Sequence, residues 1–374
     1  MDKKRILFII TGLIGGGAEK ALLNLLQALD KNQYEIDVLV IFENNLSEKP
    51  ISDITFYTLF NSHNGFLYKL VKHTYLNLHI SLLLQYVTRS KIRKKYDVIV
   101  SFLEGDSLLY HSFLFDRAKR NVSWVHTDFI ENHWSERHFV GTEEYKVYQK
   151  LDGIVFVSEY AQKQFNKVFE ISTDIQQYIC PNIINEIEIT QKAQTKISDV
   201  LKRKFTICSV GRLEDVKGYD MVIKAAVILK QKGIDVDFWI VGQGSQEGKL
   251  RALLSEFNCC DMVHFIGYKK NPYPYMMMAD MFLSSSRSEG LPLVFGEAMC
   301  LGKLIVATNT IGARTMLRGG EYGKIVDITS EAIANAIIDI QKDTSLLQHY
   351  AALSLLGKRQ FSSQYVLSLI KSIL

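Results

Sequence analysis

Two carboxylates, Glu289 and Glu297, flank the start of a predicted helix with seven residues between them. Glu289 ends a run of small polar residues, and Glu297 lies inside the helix. The free amides of Leu293, Val294 and Phe295 at the helix start would point toward any anion. A solvated loop glutamate beside an ordinary helix glutamate would have the same spacing, so the pair gains meaning only from the rest of the chain.

Two cations, Arg212 and Lys217, lie five positions apart in a loop bounded by Gly211 and Gly218. The loop follows an apolar run at 205–210, which predicts a buried strand, and it leads into a helix. A guanidinium offers a planar fork and an ammonium a point charge, so the two could clamp a diphosphate. Two solvated loop cations are the alternative.

A glycine-rich turn follows the first predicted strand, at 5–10, and precedes an amphipathic helix at 18–29. Such a turn lets the backbone approach an anion closely. Its glycines stand at positions 12, 15, 16 and 17, which does not fit the G-x-G-x-x-G fingerprint of dinucleotide-binding sites.

These motifs together resemble those of the retaining GT-B glycosyltransferases of the large family 4-like group, the group 1 glycosyl transferases. The resemblance rests on Gly-Gly-Ala-Glu-Lys at 16–20, on Gly-Arg-Leu with a following Lys-Gly at 211–218, and on the two glutamates with Gly-Leu-Pro at 290–292. It covers nearly the whole chain. At 313–315 the sequence departs from the family, which usually has a glycine followed by proline and glutamate there, so the resemblance implies no donor contact from that loop.

The resemblance implies a role for each candidate residue. Arg212 and Lys217 would stabilise the leaving nucleoside diphosphate, Glu289 would bind hydroxyls of the donor sugar, and Glu297 would bind those of the ribose. His126, at the end of a predicted strand at 121–125, occupies a place where the family often keeps a residue that contacts the donor sugar. The residues that would bind the donor through backbone or side chain are Gly16, Gly17, Gly211, Leu293, Val294 and Glu297.

Alternative interpretations apply to His126 and to an acidic motif at 235–237. His126 would otherwise only cap its strand, and Asp128 is a further candidate for lining the site. Asp235-Val236-Asp237 spells the D-x-D motif that other glycosyltransferases use to hold a metal. It stands at the entry of a predicted strand, away from the ligand-binding end, so we interpret it as structural and expect no metal site.

The expected fold is α/β, with two doubly wound Rossmann-like domains facing across a cleft, as in GT-B enzymes. Residues 1–184 would form the acceptor-binding domain and residues 185–360 the nucleotide-sugar-binding domain. Residues 361–374 would form a terminal helix that packs back on the first domain. The polar stretch at 185–204 shows no strong period and is interpreted as the connection between the domains.

The length of 374 residues, with 47% hydrophobic and 22% charged residues, is typical of a two-domain globular protein. No apolar run approaches the roughly 20 residues that span a bilayer, and the N-terminal apolar run is too short for a signal peptide. The five cysteines are odd in number and contain no C-x-x-C motif, so we interpret them as buried thiols without disulfide or zinc.

The stretch at 66–96 carries seven basic residues and no acidic one, interleaved with aromatic and leucine side chains. A basic, aromatic amphipathic helix is typical of membrane-surface binding, and a core helix with a solvated basic end is the alternative. The basic residues are Lys69, Lys72, Arg89, Lys91, Arg93, Lys94 and Lys95.

These observations predict a cytoplasmic enzyme that lies on the inner face of the cell membrane and has no nucleic-acid partner. The resemblance implies a retaining, metal-independent hexosyltransferase that uses a nucleotide-diphosphate sugar, with UDP-sugar favoured over GDP-sugar, and no separate cofactor. The acceptor would be a lipid-linked glycan of bacterial surface-polysaccharide synthesis. Two alternatives remain: a dinucleotide-dependent oxidoreductase with Glu43 as its ribose-binding acid, and a non-catalytic protein that binds sugar nucleotides.

Overall fold

The computed structural model describes residues 3–13, 16–43, 51 and 53–374. Residue contacts divide the chain into two compact units: Met1–Ile183 together with Ser363–Leu374 forms the first, and Ile184–Ser362 forms the second. These boundaries lie within two residues of the domain limits expected from the sequence. The C-terminal residues belong to the first unit.

The first unit contains a seven-stranded sheet in the order β3-β2-β1-β4-β5-β6-β7, and all its neighbouring strands are parallel. Its strands are β1 (Lys4–Ile10), β2 (Tyr34–Phe42), β3 (Thr55–Phe60), β4 (Tyr96–Ser101), β5 (Ala118–Val125), β6 (Gly153–Phe156) and β7 (Gln176–Ile179). Its first helices are α1 (Gly17–Ala28), α2 (Phe66–Leu78), α3 (Leu82–Lys91), α4 (Asp106–Ser112), α5 (Glu143–Tyr148) and α6 (Glu159–Val168).

The second unit contains a six-stranded parallel sheet in the order β10-β9-β8-β11-β12-β13. Its strands are β8 (Phe205–Val210), β9 (Val236–Val241), β10 (Val263–Gly267), β11 (Met281–Ser284), β12 (Leu304–Thr308) and β13 (Lys324–Val326). Its helices are α7 (Glu186–Ala193), α8 (Tyr219–Gln231), α9 (Glu247–Glu256), α10 (Tyr273–Met278), α11 (Leu293–Cys300), α12 (Ile311–Met316), α13 (Ser330–Lys342) and α14 (Ser345–Gly357). The last helix, α15 (Ser363–Ile373), returns to the first unit.

The central strands are apolar along nearly their whole length because helices cover both faces of a parallel sheet. In the second unit Ile207, Ile240, Leu283 and Val306 come from four adjacent strands and are fully buried in one core. Both strand orders reverse direction once, between β1 and β4 and between β8 and β11. Loops at the carboxyl ends of the strands beside such a reversal form the ligand-binding crevice of open α/β sheets.

Three segments differ from the sequence-based expectation. The basic stretch forms two helices, α2 and α3, because His79 ends α2 with a left-handed backbone (φ 57°), and Tyr96 already belongs to β4. The connection at 185–204 contains helix α7, which Asn185 caps by accepting a hydrogen bond from the amide of Glu188 at 3.1 Å. The sequence indicates Pro292 as the first helical residue, because its missing N–H needs no partner there, but Pro292 is instead the N-cap of α11.

Candidate functional site

The loops that follow β8 and β11 in the second unit bring two of the predicted catalytic residues into contact. Lys217 Nζ donates to Glu289 Oε1, and the same oxygen accepts from Ser286 Oγ at 2.7 Å. Both charged side chains are mostly buried, with 22% of the lysine and 14% of the glutamate side chain exposed. A charge-assisted bond with this little solvent is stronger than an exposed ion pair.

Gly218 allows the two loops to approach each other closely. Its φ is +65°, and a Cβ placed on it would lie 2.2 Å from the carbonyl oxygen of Ser285. Ser285 Oγ in turn donates to the carbonyl oxygen of Lys217 at 2.8 Å. A side chain at position 218 would therefore separate the backbone of Lys217 from the loop that carries Glu289.

Arg287 is a positioning residue that the sequence analysis did not single out. Its amide donates to the carbonyl oxygen of Val216 at 2.7 Å, and its guanidinium donates to the carbonyl oxygen of Asp215 and to both carboxylate oxygens of Asp220. It thus links the loop of Lys217 to the loop of Glu289. The only sequence signal was a cation within a run of serines before Glu289.

Arg212 lies in the same loop as Lys217 but does not touch the Lys217–Glu289 pair. Its side chain is exposed and makes no hydrogen bond or ion pair with any residue that the structure describes. The neighbouring Gly211 packs against Gly242, where a Cβ would lie 1.9 Å from the carbonyl oxygen of Gly211. The two glycines thus let the start of the Arg212 loop pack closely against the end of β9. The Arg212 guanidinium remains free for a ligand.

Glu297 is buried in α11, 5% exposed, with Tyr273 Oη 3.5 Å from its Oε1. The amides of Leu293 and Val294 at the start of this helix have no acceptor among the described residues. The expectation that Phe295 also has a free amide is wrong, because this N–H donates to the carbonyl oxygen of Pro292 at 3.0 Å. The helix start therefore offers two amides to an anion.

The loop after β12, where the sequence departs from the family pattern, forms hydrogen bonds to backbone carbonyl groups of the Glu289 loop. The amide of Gly312 donates to the carbonyl oxygen of Glu289 at 2.8 Å, and Thr308 Oγ1 donates to that of Ser286 at 2.5 Å. Thr310 Oγ1 caps helix α12 by accepting from the amide of Ala313 at 3.2 Å. This loop thus holds the Glu289 loop through backbone bonds.

Gly16 and Gly17 lie in the first unit, at the start of α1. The amide of Gly16 donates to Glu19 Oε2 at 3.0 Å, so a carboxylate of this chain already occupies part of the helix start. Ile14 and Gly15, which belong to the predicted glycine-rich turn, lie outside the described residues.

His126 follows β5, and its backbone is held by Glu104, a buried residue that the sequence analysis missed. Glu104 Oε1 accepts from the amides of His126 and Thr127 at 2.5 and 2.7 Å. The His126 Nε2 atom is buried and has no hydrogen-bond partner among the described residues. Burial lowers the pKa of His126 to about 4, so its imidazole is neutral at pH 7.

Asp128 serves a local turn in this structure. Its Oδ1 accepts from the amides of Ile130 and Glu131 at 2.8 and 3.1 Å. This is the bonding pattern of an Asx turn, which stabilises the chain as it leaves the His126 loop.

The described residues contain no group of histidine, cysteine and acidic side chains that could hold a metal ion. Asp235 and Asp237 of the D-x-D sequence lie near Lys204, at 2.7 and 3.9 Å, which agrees with a structural role. All five cysteines are free; four are buried, but Cys260 is exposed, contrary to expectation. Within the described ranges, no helix has the length and apolar character to cross a membrane.

Two sequence families match this chain. Residues 190–353 match the family described as Glycosyl transferases group 1, and residues 15–182 match Glycosyltransferase Family 4. Together these matches cover most of both units.

Two relatives illustrate the range of similarity. The Campylobacter jejuni N-acetylgalactosamine-N,N'-diacetylbacillosaminyl-diphospho-undecaprenol 4-alpha-N-acetylgalactosaminyltransferase is 33% identical over 154 residues, which are 41% of this chain and 41% of that protein. An uncharacterized glycosyltransferase from Haemophilus influenzae is 26% identical over 323 residues, 86% of this chain and 85% of that protein. The first of these matches thus spans less than half of the relative's length.

The crystal structure of HepE from Anabaena in complex with UDP and glucose resembles this chain with a TM-score of 0.78. The match covers 99% of both chains at 18% sequence identity. At this level of identity the likeness establishes the fold alone, two α/β units with parallel sheets.

Proposed function

Because this chain belongs to the family 4-like group 1 glycosyl transferases and has the GT-B fold, we propose that it transfers a hexose from a nucleotide-diphosphate sugar to a lipid-linked glycan. This family membership removes the dinucleotide-dependent oxidoreductase alternative. The observation that carries the proposal is the bond between Lys217 and Glu289 beside the free guanidinium of Arg212. A cation pair and a carboxylate at the reversal between β8 and β11 provide contacts for a diphosphate and for sugar hydroxyls.

The donor is held by the second unit. Arg212 and Lys217 bind the diphosphate, aided by the amides of Leu293 and Val294 at the start of α11. Glu289 accepts hydrogen bonds from hydroxyls of the sugar, and Glu297 accepts them from the ribose. A UDP-sugar is the favoured donor, since the structurally similar HepE was crystallised with UDP and glucose.

Transfer occurs with retention of the anomeric configuration and without a metal ion. The bond between the sugar C1 and the diphosphate oxygen breaks, and the acceptor oxygen forms a bond to C1 on the same face. The acceptor's hydroxyl proton passes to the departing phosphate oxygen. Negative charge grows on the diphosphate during this step, and preorganised cations lower the barrier because they bind that charge more tightly in the transition state.

His126 contributes as a neutral imidazole of the first unit that contacts the donor sugar. A histidine whose pKa burial has lowered to about 4 can donate or accept a hydrogen bond at neutral pH without carrying charge. Its Nε2 is buried without a hydrogen-bond partner among the described residues, and a hydroxyl of the bound sugar would supply that partner. Gly16 and Gly17 of the first unit would bind the donor through the backbone at the start of α1.

The acceptor is carried at the membrane surface by the segment at 66–95. Three of its seven basic residues pair with carboxylates of the same unit: Lys72 with Asp106, Arg89 with Asp116, and Lys94 with Asp37. The four others, Lys69, Lys91, Arg93 and Lys95, are exposed. The segment also exposes eight large apolar side chains: Phe66, Leu67, Leu70, Leu78, Ile80, Leu82, Leu83 and Tyr86.

Exposed cations beside exposed apolar groups suit a bilayer surface with anionic lipids, where each cation contributes about 1 kcal/mol and apolar burial adds to it. The Campylobacter jejuni relative acts, by its name, on a diphospho-undecaprenol-linked sugar. We therefore place this enzyme at the cytoplasmic face of the cell membrane, in the synthesis of a bacterial surface polysaccharide.

The test of the proposed function is a transfer assay with a panel of radiolabelled UDP- and GDP-sugars and polyprenyl-diphosphate-linked sugars as acceptors. We expect one UDP-sugar to give a labelled, lipid-extractable product together with an equal amount of UDP. If no donor is bound, transferred or hydrolysed, the proposal is wrong. Binding of a donor without transfer to any acceptor would instead indicate a non-catalytic sugar-nucleotide-binding protein.

The stereochemistry and metal requirement are tested on the same product. NMR spectroscopy of the new linkage should give the donor's own anomeric configuration, and treatment with a chelator should leave the rate unchanged. A covalent sugar adduct on Glu289, detected by mass spectrometry with a slow donor analogue, would contradict the same-face mechanism. Loss of activity in chelator that Mn²⁺ restores would contradict metal independence.

A further inference from the structure

An open groove of about 530 Å³ runs along α2 in the first unit. Six of its lining residues are cations or histidines: His63, Lys69, Lys72, His73, Arg137 and His138. No carboxylate is among its lining residues in the described part of the chain. We call it the α2 groove.

A buried carboxylate, Asp106, holds two of the side chains that line the α2 groove. Asp106 is 1% exposed; its Oδ1 accepts from Lys72 Nζ at 2.6 Å and lies 2.9 Å from Nδ1 of His138. Burial alone would raise the pKa of Asp106, but His138 and Lys72 outweigh it and lower the pKa to about 2. Asp106 therefore stays charged and orders the two side chains toward the groove.

Two further cations of the α2 groove have no carboxylate partner among the described residues. Lys69 and Arg137 form no ion pair, and the Arg137 guanidinium lies 5.8 Å from the ring centre of Trp134, which can orient it. The three cations Lys69, Lys72 and Arg137 exceed the Asp106 charge by two. Like charges gathered in one groove repel, and a phosphate relieves that repulsion while matching the arginine fork.

The α2 groove adjoins an exposed apolar surface on the same helix. Phe66 and Leu70 are 82% and 44% exposed and stand one helical turn apart. Lys69 and His73 form the adjacent row of the helix, because residues three and four positions apart share a face. A ligand that fits both surfaces has an anionic group joined to an apolar chain.

We propose that the α2 groove binds the phosphate or diphosphate group of a lipid-linked acceptor, with Phe66 and Leu70 contacting the start of its apolar chain. The acceptor role rests on the proposed function above. Binding itself requires no transferase activity, so it is measured separately. The groove would hold the acceptor by a group that the reaction leaves unchanged.

The experiment titrates three probes into the full-length protein by calorimetry: farnesyl diphosphate, inorganic pyrophosphate and farnesol. We expect farnesyl diphosphate to bind more tightly than pyrophosphate, and farnesol not to bind. The double variant Lys69→Gln/Arg137→Gln should weaken farnesyl diphosphate binding by about tenfold or more, since two charge-assisted contacts are lost. The control Lys146→Gln/Lys150→Gln removes the same charge from exposed positions of the first unit outside the groove and should change affinity less than about twofold.

Binding at the donor site is excluded with Arg212→Ala, which should leave farnesyl diphosphate affinity unchanged. Unaltered affinity for farnesyl diphosphate in Lys69→Gln/Arg137→Gln would overturn the proposal. Equal affinities for pyrophosphate and farnesyl diphosphate would contradict the claim that the bound phosphate belongs to a lipid-linked ligand. If the double variant does not fold, Lys69→Gln alone should weaken binding about threefold or more. If the protein transfers sugar but the groove variant binds farnesyl diphosphate as wild type does, only this inference is wrong. If the groove binds farnesyl diphosphate but the protein transfers no sugar, only the proposed function is wrong.

Discussion

Arg287 Nη2 donates to both carboxylate oxygens of Asp220, at 2.8 and 2.7 Å. Burial alone would raise the pKa of Asp220, but the Arg287 contact outweighs it and the pKa is lowered. Asp220 lies in the first turn of α8, where a negative charge also interacts favourably with the helix dipole. The Arg287–Asp220 pair thus joins the loop of Lys217 to the loop of Glu289. Neither Arg287 nor Asp220 bonds directly to the side chains of Lys217 and Glu289.

The first prediction concerns this link. Arg287→Ala should lower kcat by about tenfold, because Lys217 and Glu289 lose their mutual alignment, with a smaller change in the donor KM. Its cost in unfolding free energy should be only about 1 kcal/mol, since the Arg287 side chain is 36% exposed. Steady-state kinetics and urea denaturation measure both quantities. Arg287→Lys should recover little activity because an ammonium cannot reproduce the guanidinium contacts; full activity in Arg287→Ala would contradict the positioning role.

The second prediction compares two glycines with similar backbones. Gly218 and Gly233 have φ of +65° and +69°, but a Cβ would collide only at Gly218, and nothing lies within 4 Å at Gly233. Gly233→Ala should cost about 1 kcal/mol of stability from backbone strain alone. Gly218→Ala should cost several times more or separate the two loops, with loss of transfer activity in the folded fraction. Equal effects on melting temperature and activity would show that the close approach at Ser285 is unimportant.

The thirteen strands that the described residues form could be predicted from the sequence, because strands of a parallel sheet covered on both faces are short apolar runs between turn residues. The chemistry of the second unit was also visible, since its cations and carboxylates follow such runs directly. Helices α5, α7, α10, α12 and α14 were not predicted. Helices α5, α10 and α12 have only six residues each, and the N-cap residue of α14, Thr344, makes no side-chain capping bond. Side-chain partners distant in sequence, such as Lys72 with Asp106 and Arg287 with Asp220, have no local signature.

The third prediction concerns stability against pH. Burial lowers the pKa of His111 to about 3, although its hydrogen bond to Asn121 opposes this. The unfolded chain therefore binds a proton at this site below about pH 6.5 that the folded chain does not, so stability falls as pH decreases through that range. His111→Gln should reduce the slope of unfolding free energy against pH between about pH 5 and 6 by up to about 1.4 kcal/mol per pH unit. Urea denaturation across this range measures the slope, and an unchanged slope would mean that His111 titrates normally.

The fourth prediction concerns membrane binding. Lys91→Glu/Lys95→Glu should reduce cosedimentation with anionic vesicles by about tenfold or more, and wild-type binding should weaken with salt and be absent with neutral vesicles. Lys94 is left unchanged because its pairing with the buried Asp37 would be broken as well. Lys146→Glu/Lys150→Glu is the matched control and should bind as wild type. Wild-type recovery in the supernatant with both vesicle types would remove the membrane claim and leave the transferase claim standing.

The central claim is that the second unit stabilises a departing nucleoside diphosphate through Arg212, whose exposed guanidinium is free of protein partners among the described residues. The most direct measurement is kcat of Arg212→Ala with its best nucleotide-sugar donor, in protein whose melting temperature matches wild type. Removing one transition-state donor of this kind should lower kcat by roughly 10²-fold or more. Wild-type turnover in the folded variant would contradict the account.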